Sequence, residues 1–171
     1  MKQLELFGSS SDNSEKVRSE KHHWKLFVDG ASRNNPGPSG AGIYILQDEQ
    51  FFHEYGFYLG KKTNNQAEYL ALLLGLFTLK KMIKAGDKVH IISDSLLLVQ
   101  QVKGVYKVRN PELKTLHTLA LQWVQSINAH MFHVLRFDNA NADNMANVGI
   151  DKKNSVPVEF LAILKQHAIS F

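Results

Sequence analysis

The sequence predicts an α/β fold built on one mixed sheet, and three observations carry that prediction. Aromatic and β-branched runs in the first third, split by turn-forming residues, read as an antiparallel meander. A long, almost wholly apolar helix follows. Two more short strands then alternate with helices, which is the order of a sheet that mixes antiparallel and parallel pairs. With 171 residues, 44% of them hydrophobic, the chain is long enough for one domain with a substantial core. It has no cysteine, which excludes a disulfide framework and a cysteine-ligated zinc site and fits a reducing, cytoplasmic setting. No apolar run reaches membrane-spanning length and the N-terminus lacks a signal-peptide core, so no membrane partner is expected. A formal charge of +4 leans mildly toward polyanionic partners and decides little alone.

Residues 1–23 read as an N-terminal arm. Residues 8–23 are polar and Ser-rich, the composition of a flexible tether, and Met1 to Phe7 form a small apolar island ahead of it. That island either folds back on the domain or docks on a partner. The domain proper spans 24–152 and opens with a buried strand, Leu26 to Val28, that runs into Asp29. A carboxylate at that depth is costly unless a base or a metal ion meets it. Gly30 to Gly42 is crowded with Gly, Pro and Asn, so a loop is expected whose backbone amides can approach a phosphate. Gly42 to Leu46 and Phe51 to Tyr58 complete the meander.

A helix is expected from a cap at Asn64 or Asn65, through Tyr69, Leu72, Leu76 and Met82, to a stop at Gly86. This places Glu68 in its first turn. Val89 to Ile92 reads as a strand ending in Ser93-Asp94-Ser95, and helices are expected over Leu96–Val102 and from about Glu112 to Ile127. Met131 to Phe137 alternates like a strand, and Asn139 to Asn147 opens the next helix. Residues 153–171 form a C-terminal helical extension, with Phe160, Leu161, Ile163 and Leu164 as its apolar face.

Four acids fall at strand ends and helix starts, where sites form in sheets of this kind: Asp29, Glu68, Asp94 and Asp143. Each has an ordinary explanation, since Glu68 and Asp143 would favour a helix dipole and Asp94 could cap the helix after it. If they converge, their repulsion calls for cations, and hard divalent ions with oxygen ligands suit them. Spacing alone does not establish that they converge.

The chain from about Trp24 to Lys152 resembles type 1 ribonuclease H in four motifs, in order. These are Phe27-Val28-Asp29-Gly30-Ala31-Ser32 with Asn35-Pro36-Gly37-Pro38, then Thr63-Asn64-Asn65-Gln66-Ala67-Glu68, then Ser93-Asp94-Ser95, then Asn139 to Asn147 around Asp143. The resemblance implies a ribonuclease H-like fold, a five-stranded mixed sheet with three antiparallel and two parallel strands flanked by helices. It implies two Mg²⁺ or Mn²⁺ ions held by Asp29, Glu68, Asp94 and Asp143, with Asp29 bridging both. The implied reaction is hydrolysis of the RNA strand of an RNA–DNA hybrid by a monomer, leaving 3′-hydroxyl and 5′-phosphate ends. By the same resemblance Gly30, Ala31, Ser32, Asn35, Asn64 and Asn65 lie along the hybrid's minor groove and Thr63 holds a DNA phosphate. Glu68 lies near the 2′-hydroxyl, and Ser95 and Arg136 are further candidate substrate contacts. A hybrid-binding module without catalysis, or a nuclease for another RNA-containing duplex, are the alternatives.

Two departures from that pattern matter. The segment Gln101 to Pro111 is short and holds only Lys103, Lys107 and Arg109, so it resembles the compact branch of the family, without the basic protrusion. Fewer phosphate contacts imply a weaker grip on the hybrid. His133 lies at a suitable spacing before Asp143 to resemble an assisting histidine, yet it sits in an alternating stretch that reads as strand. Finally, Gln3-Leu4-Glu5-Leu6-Phe7 resembles the pentapeptide by which bacterial replication and repair proteins bind the sliding clamp, with Gln3, Leu4, Leu6 and Phe7 as its binding residues. Tethering to a clamp would offset weak grip by raising local concentration.

Overall fold

The strand that carries Asp29, β1 (His23–Ser32), is the middle of a five-stranded sheet in the computed structural model, which describes residues 20–171. Gln3 to Phe7, the clamp-like peptide, lies outside the described residues. The other strands are β2 (Gly37–Gln47), β3 (Gln50–Lys62), β4 (Lys88–Ser93) and β5 (His130–His133), in the order β3-β2-β1-β4-β5. Pairing is antiparallel within β1, β2 and β3 and parallel from β1 to β4 and from β4 to β5. The mixed sheet expected from the sequence is the one observed.

Alternation in β1 buries Trp24, Leu26 and Val28 on one face, and α1 (Asn64–Leu79) packs there. This helix is apolar almost all round because it is covered almost all round. Leu70, Leu72, Leu73, Leu74, Leu76 and Leu79 are all buried between the sheet and α3 (Pro111–Ser126). Its one buried hydroxyl, on Tyr69, donates to Oε1 of Gln101 in α2 (Leu96–Val102) at 2.8 Å, so burial leaves no unmet donor there. Residues of the C-terminal extension join this core through α5 (Val158–Gln166), whose Phe160 meets Phe77 edge-on with ring centres 5.5 Å apart.

The opposite face is covered by α4 (Ala140–Lys152), which comes close only because β2 and β3 lack side chains beneath it. A Cβ on Gly42 would sit 1.9 Å from the Ala142 carbonyl oxygen, and one on Gly56 2.2 Å from that of Met145. Gly42 faces Asp29 across the β1–β2 ladder, so Asp29 and α4 share this face.

Several boundaries differ from the sequence expectations. The segment after Asp29 is not a loop. β1 continues through Ser32 and pairs with Ser39 to Gly42, leaving only a short turn around Asn34. α1 is capped by Thr63, not by Asn64 or Asn65. The Thr63 hydroxyl accepts from Gln66 N and the Gln66 side chain returns to Thr63 N, a reciprocal pair that Asn64 cannot make. Glu68 therefore stands past the first turn. The helix ends at Leu79, well before Gly86. β5 stops at His133, and Arg136–Asn139 is a 3-10 turn, so the alternation beyond His133 is not a strand.

Gly42→Ala is expected to push α4 off the sheet and lower the free energy of unfolding by about 1–3 kcal/mol, the usual cost of overpacking. Urea denaturation of the variant beside wild type measures it.

Candidate active site

Parallel pairing places the first two acids side by side. Phe27 is level with Ile92, and Asp29 and Asp94 each lie two residues further on, Asp29 within β1 and Asp94 just past the end of β4. Glu68 reaches them from the α1 side because Gly30 lets that helix press against β1. A Cβ on Gly30 would meet Glu68 N at 2.2 Å, and the Gly30 N–H instead donates to Glu68 Oε2 at 3.2 Å. Asp143 comes from the first turn of α4, on the far face. All four acids line one cavity of about 360 Å³, together with Gly30, Ala31, Ser32, Asn64, Asn65, Ser95 and Arg136.

Asp29 is 6% exposed and its pKa is pushed up to about 8. Burial is the largest cause, followed by the charges of Asp94 and Asp143 and a hydrogen bond with Asp94, against which Arg136 works. Glu68 is also raised, by burial first and then by Asp29 and Asp94, with the Gly30 N–H opposing. Arg136 forms an ion pair with Asp143 at 3.1 Å. Among the described residues no trio of histidines and acids is already gathered closely enough to hold a metal ion. The chemistry of the donor set nonetheless fits a cation. It is all oxygen, and the pKa values of Asp29 and Glu68 are raised partly by the neighbouring carboxylates, a repulsion that a positive charge placed among them would relieve.

Asp94 is not a helix cap. Ser95 takes that role, its hydroxyl accepting from Leu98 N at 3.3 Å, which leaves the Asp94 carboxylate free for the cavity. It is oriented instead by Asn139, which the sequence reading placed only at a helix start. Asn139 is 1% exposed, and its side-chain amide donates to Asp94 Oδ1 at 2.7 Å and to the Val28 carbonyl at 3.0 Å. Its Oδ1 is buried without a hydrogen-bond partner. An asparagine before a helix ordinarily caps it, yet this one makes no side-chain cap bond. The sequence signal for its real role was its place in the Asp143 motif.

The remaining candidates divide between two clefts. The Ser32 N–H donates to Asn64 Oδ1 at 3.0 Å, and the Asn64 N–H to Asn35 Oδ1 at 2.9 Å, which ties the turn after β1 to the start of α1. Asn35 and Thr63 do not line the acidic cavity. They line an adjoining cleft of about 220 Å³ with Asn65 and Asn110. His133, exposed at the end of β5, is not among the residues lining the acidic cavity.

Residues 27–149 match the family model described as Reverse transcriptase-like. Over 127 residues, 73% of this chain, the sequence is 33% identical to ribonuclease HI of Halobacterium salinarum. It is 31% identical over 159 residues to ribonuclease H of Coxiella burnetii, covering 80% of this chain and 95% of that protein. The crystal structure of LC11-RNase H1 in complex with an RNA/DNA hybrid superimposes with a TM-score of 0.69 at 36% identity, covering 77% of this chain and 98% of the other. The match spans 63% of the length of the Halobacterium protein and 34% of that of a bifunctional Mycobacterium tuberculosis protein of equal identity.

The raised pKa of Asp29 has a consequence for stability. Between pH about 4 and about 8 the folded protein keeps a proton there that the unfolded chain has lost, so this group subtracts stability as pH rises through that window. Asp29→Asn is expected to stabilise the protein in the presence of a chelator, little at pH 4 and most at pH 8. Urea midpoints at the two pH values check it.

Proposed function

The chain belongs to the ribonuclease H family, and from that premise we propose that it is an endonuclease that hydrolyses the RNA strand of RNA–DNA hybrids. The observation that carries this reading is the convergence of four acids, from two strands and two helices, on one cavity. We place it in the compact branch of type 1 enzymes, acting in the cytoplasm as a monomer. Asp29, Glu68, Asp94 and Asp143 would hold two Mg²⁺ or Mn²⁺ ions. When bound, the ions supply an activated water and offset the charge on the departing 3′ oxygen. The water oxygen joins phosphorus, the bond from phosphorus to the 3′ oxygen breaks, and that oxygen takes up a proton. The ends left are 3′-hydroxyl and 5′-phosphate.

Each residue of the cavity has a task in this reading. Asn139 holds the Asp94 carboxylate against β1, so that two acids on neighbouring strands keep a fixed relation. Glu68, steadied by the Gly30 N–H, faces the 2′-hydroxyl, the group that distinguishes RNA from DNA. Arg136 offsets phosphate charge, and Ser95 is a further substrate contact in the same cavity wall. Gly30, Ala31, Ser32, Asn35, Asn64 and Asn65 follow the minor groove, and Thr63 in the adjoining cleft takes a DNA phosphate. With only Lys103, Lys107 and Arg109 in the α2–α3 connection, the hybrid is gripped weakly, and Gln3 to Phe7 would raise its local concentration by docking on a sliding clamp. A module that only bound hybrids would gain nothing from four carboxylates in the path of a polyanion, which repel it unless cations intervene.

Cleavage of an end-labelled hybrid with Mg²⁺ or Mn²⁺, beside all-DNA and all-RNA duplexes, tests the reading. Asp94→Asn is expected to lower the rate by more than about a hundredfold, beyond the 10–100-fold typical of a residue that merely supports a metal ligand. A folded wild-type protein that binds the hybrid and never cuts it would favour the binding module. Deleting residues 1–7 is expected to abolish clamp binding in a pull-down while free hybrid is still cleaved.

A further inference from the structure

The turn that carries Arg136 also carries two apolar side chains to which the reaction above gives no role. Phe137 is 89% exposed and Leu135 71%, and neither belongs to the hydrophobic core. A single exposed apolar residue needs no explanation. These two, however, flank a residue that lines the acidic cavity, and exposed Leu96 follows cavity-lining Ser95. Their backbone is also tied down. The Val134 N–H donates to the Ser93 carbonyl at 3.0 Å, the Asp138 N–H to that of Leu135 at 2.9 Å, and buried Asn139 anchors the far end of the turn to Val28 and Asp94. An aromatic ring thus stands in water on backbone fastened to the strands that bear the catalytic acids.

We propose that Phe137, with Leu135 beside it, forms an apolar lip of the active site on which an unpaired base of the RNA strand stacks. The inference rests on the ribonuclease reading of that site. Arg136 next to the ring marks the neighbouring ligand as a phosphate-bearing strand. A protein seated on the lip would instead stand over the mouth of the cavity and obstruct the substrate. Bases inside a duplex are stacked on both faces and leave no face for the ring. A free face exists where a hybrid ends, is nicked or runs into single-stranded RNA. The lip therefore biases the enzyme toward such ends and junctions over the interior of a long hybrid.

The test compares two hybrids of equal paired length, one blunt and one with a single-stranded RNA extension, for wild type, Phe137→Ala and Phe137→Trp. Wild type is expected to show a KM for the extended hybrid about five- to 150-fold below that for the blunt one, the span that base–aromatic stacking supplies. Phe137→Ala brings that ratio close to one and Phe137→Trp preserves it. A fluorescent adenine analogue at the first unpaired position, quenched by stacking in wild type and not in Phe137→Ala, reports the contact without cleavage. A KM ratio that is the same in all three proteins, or quenching that survives Phe137→Ala, overturns the proposal and leaves a protein partner as the occupant of the lip. Wild type that cleaves neither hybrid would bring down the ribonuclease reading itself, and the quenching would still report on the lip.

Discussion

Two carboxylates brought level by the parallel pairing of β1 and β4 impose the constraint around which this molecule is arranged. Asp29 and Asp94 are adjacent by register, and burial takes Asp29 almost wholly out of water. Burial first, and then that repulsion, set the character of the site. Asp29 holds its proton to a pH near 8, Asn139 places an amide donor against Asp94, and Arg136 draws Asp143 to the side. The site is thus poised to accept positive charge, which is why its unfavourable electrostatics and its proposed use have the same origin.

Close approach of helices to the sheet makes the convergence geometric as well as electrostatic. α1 and α4 lie on opposite faces, yet each contributes an acid to one cavity beside the central strands β1 and β4. Gly30 admits α1 and Gly42 admits α4, and in both places a single methyl group would collide with helix backbone. Gly30 and Gly42 therefore act through packing. They do not form a phosphate-cradling loop, because Gly30 to Ser32 continue β1 in register with β2 and the amides of Gly30 and Ser32 donate to Glu68 and Asn64. Those residues can still face a nucleic acid, since the edge of their strand borders the cavity.

The compact connection between α2 and α3 and the exposed lip beside Arg136 suggest a division of labour in substrate recognition. Phosphate contacts hold any polyanion and weaken as salt rises, whereas stacking depends on which bases are unpaired and is less sensitive to salt. A protein with few of the first can still discriminate by the second.

Much of this was legible in the chain itself. The order of elements, the buried α1 and the four acids follow from periodicity, helix-start chemistry and motif resemblance, because these depend on residues close together in sequence. Local chemistry failed where a stronger tertiary or reciprocal partner was present. Gly30 to Ser32 looked like a loop, but they continue β1 in register with β2, and Asn64 looked like a cap until Thr63 and Gln66 satisfied each other first. Asn139 is the clearest case. As a residue before a helix it reads as a cap, and only the sheet's register brings Val28 and Asp94, 111 and 45 residues away, within reach of its amide. The sequence by itself determined which groups could carry the chemistry. Only the tertiary structure decided that they meet, since strand register and helix approach are set by long-range packing that no local pattern encodes.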